Sequence, residues 1–312
     1  MKPRVILCRT ETVLSEVLGR LGEGSEDALA EGRIFIGAHR ATRSSDRVPA
    51  GTEVIRYGTR PATGDSGAAE AAKSARFHVV MEAHGLVAVF KPASIATIAD
   101  HHGHTGTLVE QTAAAIGLPK ERLFPTSRLD VGVSGIVLFA TSDQARQAVA
   151  RARAAGRYRR HYVAIGGGSI TPERGRWTAP IGREKDPRRR RVHGRDAVIA
   201  ETVYAVAGAV AGACLLAVEP ETGRTHQIRV HAAHAGAPLL GDRAYGGTTR
   251  IVSLSGAVRA IDRIALHAAW IDIALGRRFF AEAPVPDELV SLWSALGGEE
   301  AAWQAAMLKL AP

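Results

Sequence analysis

Cysteine is scarce in this sequence, and so are long uncharged stretches. Cys8 and Cys214 have no partner at CxxC or metal-ligand spacing, which excludes a disulfide framework and fits a reducing, cytoplasmic compartment. The N-terminus has an apolar core of only four residues, too short for a signal peptide. The longest uncharged run, residues 202–218, contains Gly208 and Gly212, so we expect two strands around a turn and no membrane partner.

The composition also lacks the marks of a disordered or fibrous chain. The 312 residues are 46% hydrophobic and 23% charged, without internal repeats, which indicates a globular protein. A chain of this length is about twice a typical domain, so we expect one large domain and a small one.

Acidic residues are nearly missing from one segment. The whole chain has 40 Lys and Arg against 31 Asp and Glu, a net charge of +9. Residues 146–195 contain 15 of these basic residues and only three acids, so this segment carries +12 and the rest of the chain −3. Its arginines are interleaved with Tyr158, Tyr162 and Trp177, which favours a polyanionic partner with phosphates and stacked bases. A solvated arginine-rich face is the alternative interpretation.

Several catalytic motifs are incomplete. The three glycines at residues 166–168 complete neither a dinucleotide fingerprint nor a P-loop. Ser134 in GVSGI lacks the second glycine of a nucleophile elbow. Histidines cluster within residues 101–104 and 226–234, but without thiolates or carboxylates at metal-ligand spacing, so we expect no metal site.

The predicted elements divide the chain into four parts. These are a small α/β unit at residues 1–60, a linker at 61–76, a large domain at 77–297 and a terminal helix at 298–312. In the small unit, Thr12 is predicted to cap one helix and Ser25 to open a second, followed by the strand RIFI.

The large domain mixes short strands with helices and lacks βαβ regularity. The pattern predicts an α+β fold with a large, mixed, mostly antiparallel sheet flanked by helices. Strands are predicted at VAVF (87–90), GIVLFA (135–140), HYVAI (161–165), ETVYAV (201–206) and ACLLAV (213–218), and helices at 108–116 and 144–156.

Two segments have a polar density that suggests chemistry. In SRLDVGVSGIVLFA, residues 127–140, Asp130 lies in a Gly-punctuated loop directly before an apolar strand, which would present its carboxylate at a sheet edge. A turn or cap aspartate is the ordinary alternative. In residues 219–247, we predict a helix capped by Thr225, with Ile228 facing a core and Arg229 beside it. If that helix end faces a carboxylate, Arg229 would keep it ionised, because a nearby opposite charge offsets the effect of burial.

The segments SRLDVGVSGIVLFA, RYRRHYVAI and TGRTHQIRVHAAHAG followed by PLLGDRAYGG resemble the signature segments of the RluA-type RNA pseudouridine synthases. KPAS, PIGREKDPRRRRV and RIALHAAWIDI follow that family's order, so the resemblance covers residues 77–297. Residues 12–58 resemble the small RNA-binding domain, named after a ribosomal small-subunit protein, that often precedes such catalytic domains.

The resemblance implies the pseudouridine synthase fold and a cofactor-independent isomerase that detaches uracil from its ribose, turns it over and reattaches it through carbon. Asp130 matches the catalytic aspartate, which acts on either the anomeric carbon or the base. Tyr162 matches the tyrosine that packs on the flipped uracil, and Arg229, beside Ile228, matches the basic residue that pairs with the aspartate. Arg128 matches an arginine suited to filling the gap left by the extruded nucleotide.

The resemblance further implies a structured RNA substrate, ribosomal or transfer RNA. We also expect the protein to be a monomer in the cytoplasm. Side chains expected to bind the RNA are Arg128, Arg188, Arg189, Arg190, Arg191, Arg224, His226 and Ile228. Val131-Gly132-Val133 stands where the family usually has charged residues, which favours a subgroup with its own substrate. A non-catalytic RNA-binding protein that retains the synthase fold is the alternative hypothesis.

Overall fold

The computed structural model describes residues 4–8, 10–30, 34–36, 39–41, 43–48, 50, 52–56, 77–99, 106–308 and 310. The chain forms two compact units, one of Met1–Ser66 with Thr249–Ala260 and one of Gly67–Thr248 with Ile261–Pro312. The predicted linker and the histidines at 101–104 lie outside the described residues. The division into four parts therefore stays a prediction.

The first unit is a small α/β assembly. Its elements up to residue 56 are β1 (Arg4–Cys8), β2 (Thr12–Val13), α1 (Leu14–Leu18), a 3-10 turn (Gly19–Leu21), α2 (Ser25–Ala30), β3 (Ile34–Ile36), β4 (His39–Arg40), β5 (Arg47–Val48) and β6 (Thr52–Arg56). Four strands form an antiparallel sheet in the order β1-β6-β3-β4, and β2 pairs with β5.

One helix start in this unit differs from the prediction. Thr12 is not the cap of α1, because it is held in extended backbone opposite Val48, and Val13 occupies the N-cap position. The Thr12 hydroxyl donates to Glu16 instead. The second helix does begin at Ser25, as predicted.

The second unit is built on a ten-stranded sheet. Its strands and helices, with the hairpin β18–β19 that groups with the first unit, are β7 (His78–Ala83), β8 (Leu86–Lys91), α3 (Leu108–Ile116), β9 (Phe124–Pro125), β10 (Ser134–Ala140), α4 (Asp143–Ala154), β11 (Tyr158–Gly167), β12 (Arg174–Trp177), β13 (Ile181–Arg183), β14 (Arg190–Val192), β15 (Arg195–Val198), β16 (Thr202–Val210), β17 (Ala213–Pro220), α5 (Gln227–His234), β18 (Arg250–Val252), β19 (Val258–Ala260), β20 (Leu266–Ala274), β21 (Arg278–Glu282), α6 (Asp287–Ala295) and α7 (Ala301–Met307). Short 3-10 turns lie at Lys120–Arg122 and Arg243–Tyr245.

The sheet order is β12-β16-β17-β11-β20-β10-β8-β7, with β21 beside β20 and β9 beside β10. Only the pair β10 and β20 is parallel among the described strands of this sheet. The predicted α+β fold with a mixed, mostly antiparallel sheet is thus confirmed. The uncharged run at 202–218 forms the two strands β16 and β17, and no helix among the described residues is long and apolar enough to cross a membrane.

Alternation along the central strands gives the sheet two apolar faces. In β10, Val137 and Phe139 join the core beneath α3 and α5, whereas Ile136 and Leu138 join the core beneath α4. Because all seven residues of β10 are buried, this strand forms the centre of the unit. The turn of chain just before it is therefore anchored on a rigid support.

The parallel pairing of β10 with β20 depends on one glycine. Gly135 has a φ of +123°, and a Cβ there would lie 2.2 Å from the backbone oxygen of Ala268. No side chain fits at this distance, so the two strands can approach only through glycine.

We predict that Gly135→Ala lowers the free energy of unfolding by about 3 kcal/mol or more, combining left-handed backbone strain with backbone overlap. Gly212→Ala is the matched control, since Gly212 has a φ of +78° but a Cβ at this position would meet nothing within 4 Å. It should lose only about 1–2 kcal/mol. Urea unfolding of both variants measures the difference, and equal losses would contradict the packing argument.

Candidate active site

The loop before β10 places Asp130 at the edge of the sheet. Two side chains hold it there, one from the last residue of β8 and one from the segment that follows. The Thr97 hydroxyl donates to the Leu129 carbonyl at 2.8 Å and accepts from the Leu129 N–H at 3.2 Å. The ammonium of Lys91, fully buried, donates to the carbonyls of Pro92 and Ile95 and to that of Val131 at 3.2 Å. The residues on both sides of Asp130 are therefore fixed through their backbone.

Burial lowers the pKa of Lys91 to about 7, with Arg263 adding to the decrease and Asp130 opposing it. All three hydrogens of this buried ammonium group are donated to backbone carbonyls. Lys91 thus supports the loop and is not exposed to a substrate.

Asp130 pairs with Arg229, as the family resemblance implies. Arg229 Nη1 donates to Asp130 Oδ2 at 2.7 Å, although the two residues are 99 positions apart in the chain. The Asp130 side chain is 32% exposed, whereas that of Arg229 is 8% exposed. Asp130 Oδ1 makes no hydrogen bond with the described residues. One carboxylate oxygen is thus held by a cation and the other remains available.

A second carboxylate, Asp242, binds the other side of the same guanidinium. Arg229 Nε and Nη2 donate to Asp242 Oδ2 and Oδ1 at 2.7 and 2.8 Å. The Asp242 side chain is only 1% exposed, and its Oδ1 also accepts from the backbone N–H of Ala244 at 3.2 Å. The pKa of Arg229 is raised, because its hydrogen bonds to Asp242 and the charge of Asp130 outweigh the effect of burial. Asp130, Arg229 and Asp242 form one charge network with a net charge of −1, and Asp130 is its most exposed member.

Close backbone approaches fix the loop that carries Asp242. A Cβ at Gly247 would lie 1.9 Å from the Leu239 carbonyl oxygen, so the loop can close only through glycine. The backbone carbonyl of Asp242 accepts from the Gly247 N–H at 2.9 Å. The sequence patterns assigned Asp242 no role. Its position in a Gly-rich loop of the same motif as Arg229 was the one signal that could have marked it as a site residue.

His226 occupies the N-cap position of α5, which corrects the prediction of Thr225 as the cap. Its backbone is left-handed, with a φ of +59°, so α5 starts directly after a sharp reversal of the chain. His226 Nε2 lies 3.7 Å from Asp130 Oδ2, and Nδ1 lies 2.7 Å from the hydroxyl of Tyr245. Tyr245, which the sequence also left without a role, packs its ring against the Arg229 guanidinium at 4.9 Å.

Tyr162 and Ile228 form part of the apolar wall of this unit. Both are 6% exposed and belong to one cluster with Leu129 and Val133, the neighbours of Asp130. Burial raises the pKa of Tyr162, and Asp130 adds to the increase while Arg160 opposes it. The phenol is therefore neutral at pH 7 and lies within electrostatic reach of Asp130. The side chain of Arg128 is exposed and makes no hydrogen bond with the described residues.

Arg190 and Arg191 lie on β14 of a small three-stranded sheet, β14-β13-β15, and Arg188 and Arg189 lie just before that strand. This segment reaches the site through Tyr245. The Arg190 backbone N–H donates to the Tyr245 hydroxyl at 2.9 Å. A cleft of about 320 Å³ opens between β14 and α5. Its lining includes Arg189, Arg190, Arg191, His234 and Tyr245.

The other predicted RNA-binding residues differ in whether their side chains are already bound to other groups of the protein. Arg188 is tied to Asp186 and Arg189 to Glu184, while Arg191 is exposed and has no ion pair within the described residues. Arg224 is exposed and donates through Nε to the Ile199 carbonyl at 2.8 Å.

The +12 segment at 146–195 does not form one surface. Arg146 lies on α4, which covers the opposite face of the sheet from α5. Tyr158 and Tyr162 are buried, and Trp177 stacks on Tyr204 with ring centroids 4.3 Å apart. Tyr158 and Trp177 therefore serve the core, because they lie on sheet strands whose faces are covered.

The histidines near α5 do not gather around a metal. His231 is buried and bonded to Thr202 and to the Ala179 carbonyl, both at 2.9 Å. Among the described residues, no group of three or more His, Cys, Asp or Glu side chains could hold a metal ion.

Comparison with known proteins decides the family. Residues 85–234 match the family described as RNA pseudouridylate synthase. An uncharacterized RNA pseudouridine synthase of Bacillus subtilis is 34% identical over 222 residues, which is 69% of this chain and 70% of that protein. The chain belongs to the RNA pseudouridine synthase family.

The synthase is also 32% identical, over 225 residues, to ribosomal large subunit pseudouridine synthase D of Nitrosomonas europaea, covering 70% of this chain and 64% of that protein. The solved structure of human RNA pseudouridylate synthase domain containing 1 matches with a TM-score of 0.57 at 24% identity, covering 76% of this chain and 97% of that chain. The pseudouridine synthase fold is confirmed, and the protein is an RNA uridine isomerase. The alternative of a non-catalytic RNA-binding protein is set aside.

We predict that Asp242→Asn destabilises the synthase by about 3–5 kcal/mol, because it leaves the buried Arg229 guanidinium without its full partner. Asp272→Asn is the matched control, since Asp272 is also bidentate to an arginine, Arg278, but that arginine is 66% exposed. The surface pair should contribute less than about 1 kcal/mol. Thermal and urea unfolding measure both losses, and similar values would mean that burial of the Arg229–Asp242 pair does not matter.

Proposed function

We propose that this synthase converts uridines in structured ribosomal or transfer RNA to pseudouridine, acting as a monomer in the cytoplasm. The observation that carries the proposal is the partly exposed Asp130 carboxylate, held through Oδ2 by Arg229, while Oδ1 makes no hydrogen bond with the described residues. Ribosomal RNA is favoured because the relative from Nitrosomonas europaea is named for the large ribosomal subunit. One chain supplies every residue of the network, which supports a monomer.

In this proposal Asp130 is the catalytic residue, as nucleophile toward the anomeric carbon or as base. The N1–C1′ bond breaks, the uracil turns, the C5–C1′ bond forms, the C5 proton leaves and N1 gains a proton. Atoms and electrons balance without an oxidant or a cofactor. Arg229 supplies the opposite charge beside the carboxylate, with Nη1 at 2.7 Å from Oδ2.

A stacked uridine is inaccessible to Asp130, so the nucleotide must leave the helix, which costs a few kcal/mol. We assign Tyr162, with Ile228 beside it, to pack on the flipped uracil. Arg128 has the exposure and freedom needed to occupy the gap in the RNA. The cleft beside β14, whose lining includes Arg189, Arg190 and Arg191, is assigned to the RNA backbone, and Arg188 and Arg224 are assigned to the same contact.

The first test maps pseudouridines by carbodiimide primer extension in RNA from cells with and without the gene. We expect at least one ribosomal or transfer RNA site to disappear in the deletion strain. Complementation with Asp130→Asn should not restore it, whereas Asp143→Asn, a change at an exposed carboxylate on α4, should. An Asp130→Asn protein that restores the modification would contradict the assignment of Asp130.

The second test concerns the RNA backbone. The logarithm of the RNA-binding constant falls linearly with the logarithm of the salt concentration. We predict that Arg191→Ala makes this slope shallower by about 1, because one phosphate contact is lost. Arg146→Ala is the control, since Arg146 lies in the same basic segment but on the opposite face of the sheet. Filter binding over a salt series measures the slopes. Equal slopes for wild type and Arg191→Ala would remove Arg191 from the RNA surface.

A further inference from the structure

His226 lies between the carboxylate of Asp130 and the hydroxyl of Tyr245. Its Nε2 is 3.7 Å from Asp130 Oδ2 and its Nδ1 is 2.7 Å from the Tyr245 oxygen. The side chain is 17% exposed, so it borders the open side of the charge network. Arg229 donates to the same oxygen, Oδ2, and both groups therefore approach Asp130 from one side.

The hydrogen bonds of Tyr245 decide which nitrogen of His226 carries the hydrogen. The Tyr245 oxygen accepts from the Arg190 backbone N–H at 2.9 Å, and its own hydrogen needs an acceptor. His226 Nδ1, at 2.7 Å, provides that acceptor. The imidazole then carries its hydrogen on Nε2, directed toward Asp130.

The imidazole is neutral at pH 7. Burial lowers the pKa of His226, and Arg229 and Arg190 add to the decrease, while Asp130 and Asp242 oppose it. A neutral Nε2–H donor can orient Asp130 without neutralising it. This differs from Arg229, which supplies the compensating charge.

We propose that His226 is a positioning residue of the synthase, whose Nε2–H joins Arg229 at Asp130 Oδ2 and keeps Oδ1 turned toward the uridine. The inference rests on the proposed role of Asp130. The 3.7 Å separation is that of the free enzyme, and such contacts often shorten only when substrate is bound. Once Nε2 and Arg229 Nη1 both donate to Oδ2, the carboxylate cannot rotate about its Cβ–Cγ bond without losing both hydrogen bonds.

Two amide substitutions distinguish this role from a backbone role. The amide nitrogen of His226→Gln extends to about the place of Nε2, whereas that of His226→Asn reaches only the place of Nδ1. Asn is the better tolerated of the two in the left-handed backbone of residue 226. The positioning role thus predicts that Gln preserves activity better than Asn, and a purely structural role predicts the reverse order.

The experiment measures single-turnover pseudouridine formation and RNA affinity of wild type, His226→Gln and His226→Asn on the RNA identified by the deletion map. We expect His226→Asn to be about 10- to 100-fold slower, the loss expected for one hydrogen bond to a charged group, with an unchanged Kd for RNA. His226→Gln should stay within a few-fold of wild type. Urea unfolding of each variant shows whether folding is affected.

A second variant tests the tautomer. Tyr245→Phe keeps the ring beside Arg229 but removes the hydroxyl that holds Nδ1. It should slow the wild type but have little further effect in the His226→Gln background, because an amide has no tautomer to select.

The order of the two amide variants decides the outcome. If His226→Asn is as fast as His226→Gln or faster, while wild type is active and Asp130→Asn is not, the inference is overturned and the proposed function stands. A wild-type protein that forms no pseudouridine in any RNA overturns both.

Discussion

The guanidinium of Arg229, shared between two carboxylates, is the interaction on which this site depends. Asp242 takes two of its three nitrogens in a buried, bidentate pair, which leaves Nη1 for Asp130. A guanidinium buried without Asp242 would be an uncompensated charge, and such a charge is expensive to keep away from water. The Arg229–Asp242 pair is close to neutral by itself, so the net negative charge of the network lies on Asp130, its most exposed member.

The fold fixes the backbone of the three segments that carry Asp130, Arg229 and Asp242. Thr97 and Lys91 fix the Asp130 loop, α5 carries Arg229, and glycine at position 247 permits the loop that carries Asp242 to close. These supports rest on one face of a sheet whose central strands are fully buried. Packing at that density does not deform continuously, so the distances between the charges are set by the sheet.

The positive charge of the basic segment lies in two different places. Part of it lies on α4, on the opposite face of the sheet from α5, and part of it on the small sheet beside the cleft. Even within the run at 188–191, two arginines are paired with local acids. The net charge of the chain therefore indicates only that its partner is negatively charged, whereas the arginines without an acidic partner define where a phosphate can bind.

Sequence patterns determined the elements of this protein, and the family resemblance pointed to its chemistry. The helix at 108–116 and the strands around 135–140 and 213–218 follow from local periodicity, because alternation and helix spacing are properties of neighbouring residues. Asp130 and Arg229 were found through motifs in two segments. The helix caps were wrong at Thr12 and Thr225, since strand pairing and a chain reversal override cap preference there.

Only the tertiary structure decided what surrounds these residues. Asp242 looked like one more loop acid, and Tyr245 like one more aromatic, until the fold brought both to Arg229. The arginines on α4 and those on β14 belong to one segment of sequence but to different faces of the molecule. The physical reason is that charge pairing and burial depend on distances across the fold, and sequence spacing does not encode these distances beyond a few residues.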